Sequence, residues 1–124
     1  MLKGIGIDII EIERIREAVE NFGNKFLKKV FTEKEINYCT RKKAFRYPEL
    51  AVRFSAKEAY SKALGVGVKG FGRNNHGIRW TEIEVVNDAH GKPMLAHNGK
   101  LIENAHVSLS HSRDYAVATV YIEK

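Results

Sequence analysis

The chain has 124 residues, of which 44% are hydrophobic and 29% charged, and its net charge at pH 7 is +6. This length predicts a single domain over residues 1–124, and no apolar stretch approaches the roughly 18 residues of a membrane span, so we expect no membrane partner. The only cysteine, Cys39, excludes a disulfide within the chain, and a cytoplasmic location is the simplest expectation.

The positive charge is concentrated in the first part of the chain. Residues 1–73 hold 16 Lys and Arg against 9 Asp and Glu, whereas residues 74–124 hold 5 against 6. This asymmetry predicts an acidic partner, which could be nucleic acid, an anionic membrane, an acidic protein or a phosphorylated small molecule. Composition alone does not choose among these four.

The first predicted elements are a strand and a helix. The strand covers residues 2–10 and is rich in isoleucine, while Gly4 and Gly6 allow another backbone to approach it closely. From Glu11 the apolar residues change to helical spacing, and Gly23 supplies the stop for this first helix.

Two more helices are predicted before the middle of the chain. Thr32 and Glu35 form a capping box, which predicts a helix over residues 33–41. The strongest helical pattern covers residues 49–64 and ends at Gly65. One side of this long helix is small and apolar and suits a tightly packed core.

The second half of the chain is predicted to be mainly strands. Five glycines over residues 65–77 predict a long mobile loop. Beyond it, strands are predicted at "IEVV", "PMLAH", "HVSLS" and "YAVATVYI", with "HSRD" as the last hairpin and "NGKLIENA" as a short helix. The expected fold is therefore α+β, a mainly antiparallel sheet packed against the long helix and the shorter N-terminal helices.

Asp8 interrupts the apolar run "GIGIDIIEI" and has two interpretations. It either caps the following helix or is a ligand for a hard cation at the carboxyl end of the strand. Glu58 and Lys62 have the i, i+4 spacing that is typical of a surface salt bridge. Phe54 and Ser61 lie on the same side of this helix, and their presence makes a plain solvated face less favoured there.

Two further motifs carry weaker predictions. The glycines of residues 65–77 suit phosphate contacts, but the segment matches neither standard nucleotide-binding fingerprint. The segment "SLSHSRD" contains serine, histidine and aspartate, as a hydrolase would, but it lacks the "GxSxG" elbow. His111 is interpreted either as a ligand contact or as a structural residue of the turn.

Three segments together, "GIGIDIIEIERI", "RFSAKEAYSKALG" and "SLSHSRDYAVATV", resemble the holo-acyl carrier protein synthases, the small bacterial class of 4′-phosphopantetheinyl transferases. "IEVVNDAHGKP" fits the same pattern, whereas "GFGRNNHGIRW" is longer and more basic than the usual link. The resemblance implies Mg²⁺-dependent transfer of the phosphopantetheine arm of coenzyme A to a serine of an apo-acyl carrier protein. The other product would be adenosine 3′,5′-bisphosphate, and the assembly a homotrimer with sites at subunit interfaces.

The resemblance also implies roles for individual residues. Asp8 and Glu58 take the positions of Mg²⁺ ligands, Glu58 and Lys62 are catalytic, and Glu58 or a metal-bound water accepts the serine proton. The implied contacts with coenzyme A are Arg53, Ser61, Lys62, Gly65 and His111. An acidic carrier protein would match the basic N-terminal part, and its expected docking residues are Arg14, Ile15, Ala18, Phe22 and Arg46.

Two other functions stay open at this level. A non-enzymatic nucleic-acid-binding module would use the basic half, but no binding motif is present and the aromatic residues are not interleaved with the basic clusters, so we expect no nucleic-acid partner. The second alternative is a hydrolase that uses His111 as a catalytic residue. Mg²⁺-dependent turnover of coenzyme A would distinguish the transferase from the binding module.

Overall fold

The structure, a computed structural model of the chain, describes residues 1–65 and 78–124. Its elements in chain order are β1 (Leu2–Glu11), α1 (Ile12–Phe22), α2 (Asn24–Val30), α3 (Glu33–Cys39), α4 (Tyr47–Leu64), a short 3₁₀ helix (Trp80–Glu82), β2 (Ile83–Asn87), β3 (Pro93–His97), β4 (Lys100–Leu101), β5 (Ala105–His111) and β6 (Tyr115–Glu123). The predicted α+β class is confirmed. Among the helices of these two described ranges, none has the length and apolar character that crossing a membrane requires.

The described strands form two antiparallel sheets of three strands each. The first sheet has the order β1-β6-β5 and the second β2-β3-β4. In the first sheet Asp8 of β1 lies opposite Ala118 of β6, which lies opposite Leu109 of β5. Directly opposed residues point to the same face of a sheet, so these three side chains share one face.

Helix α4 packs across this face and touches β1 backbone to backbone. A Cβ atom on Gly6 would lie 1.9 Å from the carbonyl oxygen of Ala59, and one on Gly4 would lie 2.0 Å from that of Ala63. No side chain fits at such distances, so the close approach predicted for the two glycines is confirmed. The glycines bring α4 directly against the strand that carries Asp8.

The other face of the first sheet is exposed and is apolar along β1. The glycines and Asp8 of β1 point towards α4, whereas Ile5, Ile7 and Ile9 point away from it and are 60–65% exposed. Tyr121 of β6, opposite Ile5, is also exposed. We call the surface formed by these three isoleucines and Tyr121 the outer sheet face. Contiguous apolar surface of this kind marks an interaction site.

The buried residues form two clusters that meet along α4. The first joins α1 and α2 to the first half of α4, and includes Ile15, Val19, Leu27, Val30 and Leu50. The second joins the second half of α4 to both sheets, and includes Ala56, Ala59, Tyr60, Val120 and Ile122. The long helix is therefore the central element, as predicted.

Two local features differ from the prediction. The sequence analysis contains no helix over residues 24–30, where the structure has α2, because seven residues are too few to show a helical period. The predicted helix in "NGKLIENA" is wrong: Asn98 and Gly99 have φ angles of 49° and 86° and form the turn between β3 and β4. An Asn-Gly pair favours this hairpin turn over a helix. Apart from Gly65, the predicted mobile loop lies outside the described residues.

Candidate active site

The candidate site is centred on Asp8, near the carboxyl end of β1. Its side chain is only 15% exposed, because it points towards α4 and away from the outer sheet face. The close approach of α4 to the preceding glycines of β1 brings the side chains of that helix within reach of Asp8. The strand thus presents one carboxylate to the helix.

Lys62 of α4 contacts this carboxylate. Its Nζ lies 3.2 Å from Asp8 Oδ1 and also donates a hydrogen bond to the backbone carbonyl oxygen of Ile7 at 3.1 Å. The lysine side chain is 52% exposed, and an ion pair with that exposure contributes little to stability. A solvent-facing ammonium beside a carboxylate is better suited to an incoming phosphate group.

Glu58 lies one helical turn before Lys62 on the same side of α4 and is half-buried. Burial raises the pKa of Glu58, the negative charge of Asp8 raises it further, and the positive charge of Lys62 opposes both effects. Asp8 and Lys62 therefore act in opposite directions on the ionisation of Glu58. This arrangement favours an additional cation.

The donor atoms of the site suit Mg²⁺. Asp8 and Glu58 supply two carboxylates, and within the described residues no group of three or more His, Cys, Asp or Glu side chains could hold a metal ion. Mg²⁺ often uses one or two protein carboxylates and takes its other oxygens from phosphate groups and water. The two carboxylates therefore fit an ion that is bound together with a phosphorylated ligand.

Arg53 is placed in the interior and does not contact Asp8. It is 2% exposed, its Nη2 donates to Asn87 Oδ1 at 2.7 Å, and its guanidinium carbon lies 4.4 Å from the centre of the Tyr38 ring. These contacts connect α4 to α3 and to the end of β2. The assignment of Arg53 to coenzyme A stays a prediction.

Ser61 and Gly65 have structural roles within α4. Ser61 is buried, and its hydroxyl donates to the carbonyl oxygen of Glu58 at 2.8 Å. Gly65 has a left-handed conformation and ends the helix, with its N–H donating to the carbonyl oxygen of Lys62 at 3.0 Å. Their predicted contacts with coenzyme A stay predictions.

His111 is exposed at the end of β5, on the same face of the sheet as Asp8. It lies opposite Ala116 of β6, which lies opposite Ile10 of β1. His111 is therefore two strands away from β1, which corresponds to about 10 Å across the sheet. Along the strands it is level with Ile10, the next residue of β1 after Asp8 that points to the same face. Among its described contacts there is none with a serine hydroxyl or a carboxylate, which a hydrolase would require.

The predicted docking residues differ in exposure. On α1, Arg14 and Phe22 are exposed and Ala18 is half-buried. Ile15 is 2% exposed and packs in the first core cluster, so its side chain is not available to a partner. Arg46 lies before α4, where its Nε is 3.0 Å from a carboxylate oxygen of that helix.

Two features of the site are absent from the sequence analysis. The carbonyl of Ile7 accepts from Lys62, but a backbone acceptor carries no sequence signal. Lys57, directly before Glu58, is fully buried with Glu35. Its spacing from Leu50 and Tyr60, seven residues and three residues along α4, is the signal that could have predicted this burial.

Comparison with known proteins gives consistent matches over nearly the whole chain. The model of the 4′-phosphopantetheinyl transferase superfamily matches residues 4–120. A holo-[acyl-carrier-protein] synthase of Chloroherpeton thalassium is 45% identical over 96% of both chains, and one of Clostridium tetani is 47% identical over 99% of this chain and 97% of the relative. The crystal structure of a holo-(acyl-carrier-protein) synthase from Bacillus anthracis in complex with CoA (3′,5′-ADP) matches with a TM-score of 0.80 at 42% identity, over 100% of this chain and 98% of that one.

Proposed function

Because the chain belongs to the 4′-phosphopantetheinyl transferase superfamily, we propose that it transfers the 4′-phosphopantetheine group of coenzyme A to a serine hydroxyl of an apo-acyl carrier protein. The resemblance predicted from its motifs is confirmed. The observation that carries the proposal is the nearly full-length match to relatives named for this activity. The arrangement of Asp8, Glu58 and Lys62 supports it, because phosphoryl transfer depends mainly on positioning and charge neutralisation.

The proposed reaction exchanges one phosphorus–oxygen bond for another. The serine oxygen forms a bond to the phosphorus that carries pantetheine, and the bond from that phosphorus to the bridging oxygen of the diphosphate breaks. The serine hydroxyl loses its proton. The products are the holo-carrier protein and adenosine 3′,5′-bisphosphate.

Asp8 and Glu58 are the residues that would hold Mg²⁺ beside the diphosphate. The bound ion supplies positive charge that stabilises the leaving phosphate oxygen. Support for this assignment comes from the raised pKa of Glu58, which reflects its burial and the repulsion between two acids on the same side of the site. A cation held there would offset that repulsion and favour the ionised form of Glu58.

Lys62 is proposed to contact the transferred phosphate. Its Nζ is already directed at the site, 3.2 Å from Asp8 Oδ1, and its half-exposed side chain leaves part of the ammonium accessible. A lysine has three donors on a flexible stem and can follow the phosphate as charge develops on it. Lys62 therefore both orients Asp8 and supplies positive charge.

Glu58 is the favoured acceptor of the serine proton. It lies one helical turn from Lys62, the proposed contact of the transferred phosphate, so its carboxylate would be close to the attacking serine. Water is the alternative acceptor. This assignment adds a second role for Glu58 beside metal binding.

Among the predicted contacts with coenzyme A, the geometry favours His111 for the part of the ligand beyond the diphosphate. His111 is exposed and shares the inner face of the sheet with Asp8. Arg53 and Ser61 are buried and engaged with other residues, so they would serve mainly by holding α4 in place. Gly65 would allow the chain to turn away at the end of that helix.

The acidic carrier protein is proposed to dock on the exposed side of α1. Arg14 and Phe22 offer a positive charge and an apolar contact there, with Ala18 between them. Complementary charge accelerates the encounter of two proteins and selects partners. Arg46 would extend the positive surface beyond α1.

We further propose that the chain forms a homotrimer and that the outer sheet face lies in the subunit interface. The three isoleucines of this face are 60–65% exposed, which is costly for a strand of a monomer. Burying them against other copies of the chain would remove this apolar area from water. Sites at subunit interfaces would then combine residues of two chains.

A cytoplasmic location is the last part of the proposal. Cys39 is a free, buried thiol, as is usual for proteins of reducing compartments.

Release of adenosine 3′,5′-bisphosphate tests the proposed function. The nucleotide should appear on chromatography only when the chain, coenzyme A, Mg²⁺ and apo-carrier protein are all present. Release without carrier protein would instead indicate a hydrolase. No release under any of these conditions would contradict the transferase proposal.

A further inference from the structure

Lys57 and Glu35 form an ion pair that is closed off from solvent. The Nζ of Lys57 lies 2.6 Å from Glu35 Oε1, and the two side chains are 1% and 0% exposed. The same Nζ donates to the carbonyl oxygen of Val30 at 2.7 Å. Removing two charges from water is costly, and apolar residues of similar size are often equally stable, so stability alone is a weak reason for such a pair.

The carboxylate of Glu35 connects several elements of the fold. Oε1 accepts from the backbone N–H of Thr32 at 2.9 Å, and Oε2 accepts from the backbone N–H of Val85 at 2.8 Å. Together with Val30 and Lys57, the pair ties the end of α2, the start of α3 and strand β2 to a single point on α4. Both oxygens of the carboxylate are used.

This point on α4 directly precedes the candidate active site. Successive residues of an α-helix are about 100° apart around its axis. Lys57 bonds the end of α2 directly and α3 through Glu35, whereas Ala59, two residues on, faces Gly6 of β1 in backbone contact. Glu58 lies between these two anchors, and it shares a side of α4 with Lys62, one turn further on, whose Nζ lies 3.2 Å from Asp8 Oδ1.

We propose that the Lys57–Glu35 pair positions the active site by fixing the rotation of α4, so that Glu58 is directed at Asp8. Lys57 and Glu35 touch no substrate in this account and are positioning residues. Without the pair, the turn of α4 that carries Glu58 would keep the contact between Ala59 and Gly6 but lose its polar connections to α2 and α3. The contacts of Arg53 lie one turn earlier on the helix. Glu58 could then turn relative to β1, and the two carboxylates would no longer be preorganised for a cation. The inference rests on the proposed function of Asp8 and Glu58.

The test is the double variant Lys57→Met/Glu35→Leu, which removes both charges and their hydrogen bonds while keeping apolar bulk. No charge is left uncompensated, but the backbone groups of Val30, Thr32 and Val85 lose their side-chain partners. We therefore expect a lower thermal midpoint, and both readouts are taken at a temperature where the variant is folded. Mn²⁺ is the probe, and its binding in the presence of coenzyme A is measured from the electron paramagnetic resonance of the free ion. We expect its affinity to fall about tenfold, because small misplacements of a ligand are costly.

Steady-state kinetics provide the second readout. We expect kcat to fall about ten- to hundredfold, since a displacement of about 1 Å can cost about a hundredfold in rate. The KM for the carrier protein should change less than about twofold, because α1 is untouched. Leu95→Ala, which removes a buried side chain from β3, is the matched control: it should lower the thermal midpoint and leave Mn²⁺ affinity unchanged.

The outcomes separate this inference from the proposed function. If the folded double variant binds Mn²⁺ and turns over like the wild type, the pair serves stability only and the inference is overturned. If the double variant does not fold, Lys57→Met/Glu35→Gln is judged by the same two readouts, because it also leaves no charge unpaired and keeps an amide at position 35 that can bond the backbone. If Mn²⁺ binding by the wild type is absent or survives Asp8→Ala, the proposed metal site fails, and the positioning role fails with it.

Discussion

Lys62 reaches from α4 to β1 and places its Nζ 3.2 Å from Asp8 Oδ1. The two residues are 54 positions apart in the chain, and the contact exists because Gly4 and Gly6 let the helix lie directly on the strand. Glu58, one turn before Lys62, joins them. Because β1 has glycine at two positions, α4 lies close enough to bring Asp8, Glu58 and Lys62 into one charged site.

Replacing Gly6 tests this dependence of the site on helix–strand contact. In Gly6→Ala the new Cβ would lie 1.9 Å from the carbonyl oxygen of Ala59, so α4 must move away from β1. We expect a loss of about 1–3 kcal/mol in unfolding free energy, typical of overpacking, and a loss of transfer activity of at least about tenfold in the folded protein. Denaturant unfolding and transfer kinetics measure the two effects.

Gly99→Ala is the matched control for that variant. Gly99 has a φ of 86°, and a Cβ added there would have no atom of the described residues within 4 Å apart from its chain neighbours. Its substitution therefore costs backbone strain without touching the site. The activity of Gly99→Ala should match that of the wild type at a temperature where both are folded. Full activity in Gly6→Ala would show that the close contact is not needed to form the site.

Glu58 should reduce the stability of the free protein at neutral pH. Its pKa in the folded chain is raised by burial and by Asp8, so the folded state binds more protons than the unfolded state between the ordinary and the raised pKa. Stability therefore falls as the pH rises through that window. Glu58→Gln should melt at a higher temperature than the wild type at pH 8, and the difference should vanish below about pH 4, near the ordinary glutamate value of about 4.3.

Thermal melts from pH 4 to pH 8 without substrates provide this measurement. Glu103→Gln, at an exposed position, serves as the control and should follow the wild type at every pH. A Glu58→Gln variant that is less stable than the wild type at pH 8 would contradict the predicted cost of the charge.

Arg14 and Arg16 offer a matched pair for testing the docking surface. Arg16 is in ion pairs with Glu13 and Glu20 of the same helix, whereas none is found for Arg14 within the described residues. The charge of Arg14 is therefore the more available one. We expect Arg14→Glu to raise the KM for apo-carrier protein about tenfold and Arg16→Glu to raise it less, with the KM for coenzyme A nearly unchanged in both.

Salt provides the second criterion for this surface. The penalty of Arg14→Glu should shrink as ionic strength rises, because exposed charges are screened beyond about 8 Å at physiological salt. Steady-state kinetics with each substrate varied in turn, at low and high salt, measure both effects. If the variant loses affinity for coenzyme A instead, or loses nothing, α1 is not the docking surface.

The outer sheet face is predicted to lie between subunits, and a charge placed there should prevent assembly. Ile7 is 60% exposed at the centre of this face. We expect the wild type to show the mass of three chains by light scattering and Ile7→Glu to show that of one, because a buried, unpaired carboxylate opposes association. Leu101→Glu, at an exposed apolar residue of the second sheet, is the control and should leave the mass unchanged. A monomeric, active wild type would contradict the proposal.

Much of the fold could be predicted because it depends on local signals. The capping box of Thr32 and Glu35 is present in the structure, and Gly23 and Gly65 end their helices as expected. Buried and more exposed residues alternate along β6 of the final hairpin, which is the pattern that predicts a strand with one buried face. Asn98 and Gly99 also carry a local signal, for a hairpin turn, and the prediction of a helix there overlooked it.

The parts that could not be predicted depend on distant residues. The isoleucines of β1 indicate a strand but not which of its faces is buried. In the structure the glycine face is buried, because only residues without a side chain let α4 lie directly on the strand. Ser61 is a polar residue on a helix, and only tertiary contacts decide that it is buried. Lys57 has core spacing on α4, but its partner Glu35 is 22 positions away, and no local pattern predicts that pairing. The meeting of Asp8 with Lys62 follows from the family motifs but not from any local pattern.

The intact mass of an apo-acyl carrier protein tests the central claim most directly. After incubation with the wild-type chain, coenzyme A and Mg²⁺, its mass should increase by one phosphopantetheine group. Asp8→Ala and Glu58→Ala, shown to be folded by circular dichroism, should each transfer at least about a hundredfold more slowly, as expected when a ligand of a catalytic metal is lost, whereas Glu103→Ala should act like the wild type. An unchanged mass with the wild type, or wild-type rates in either carboxylate variant, would contradict the account.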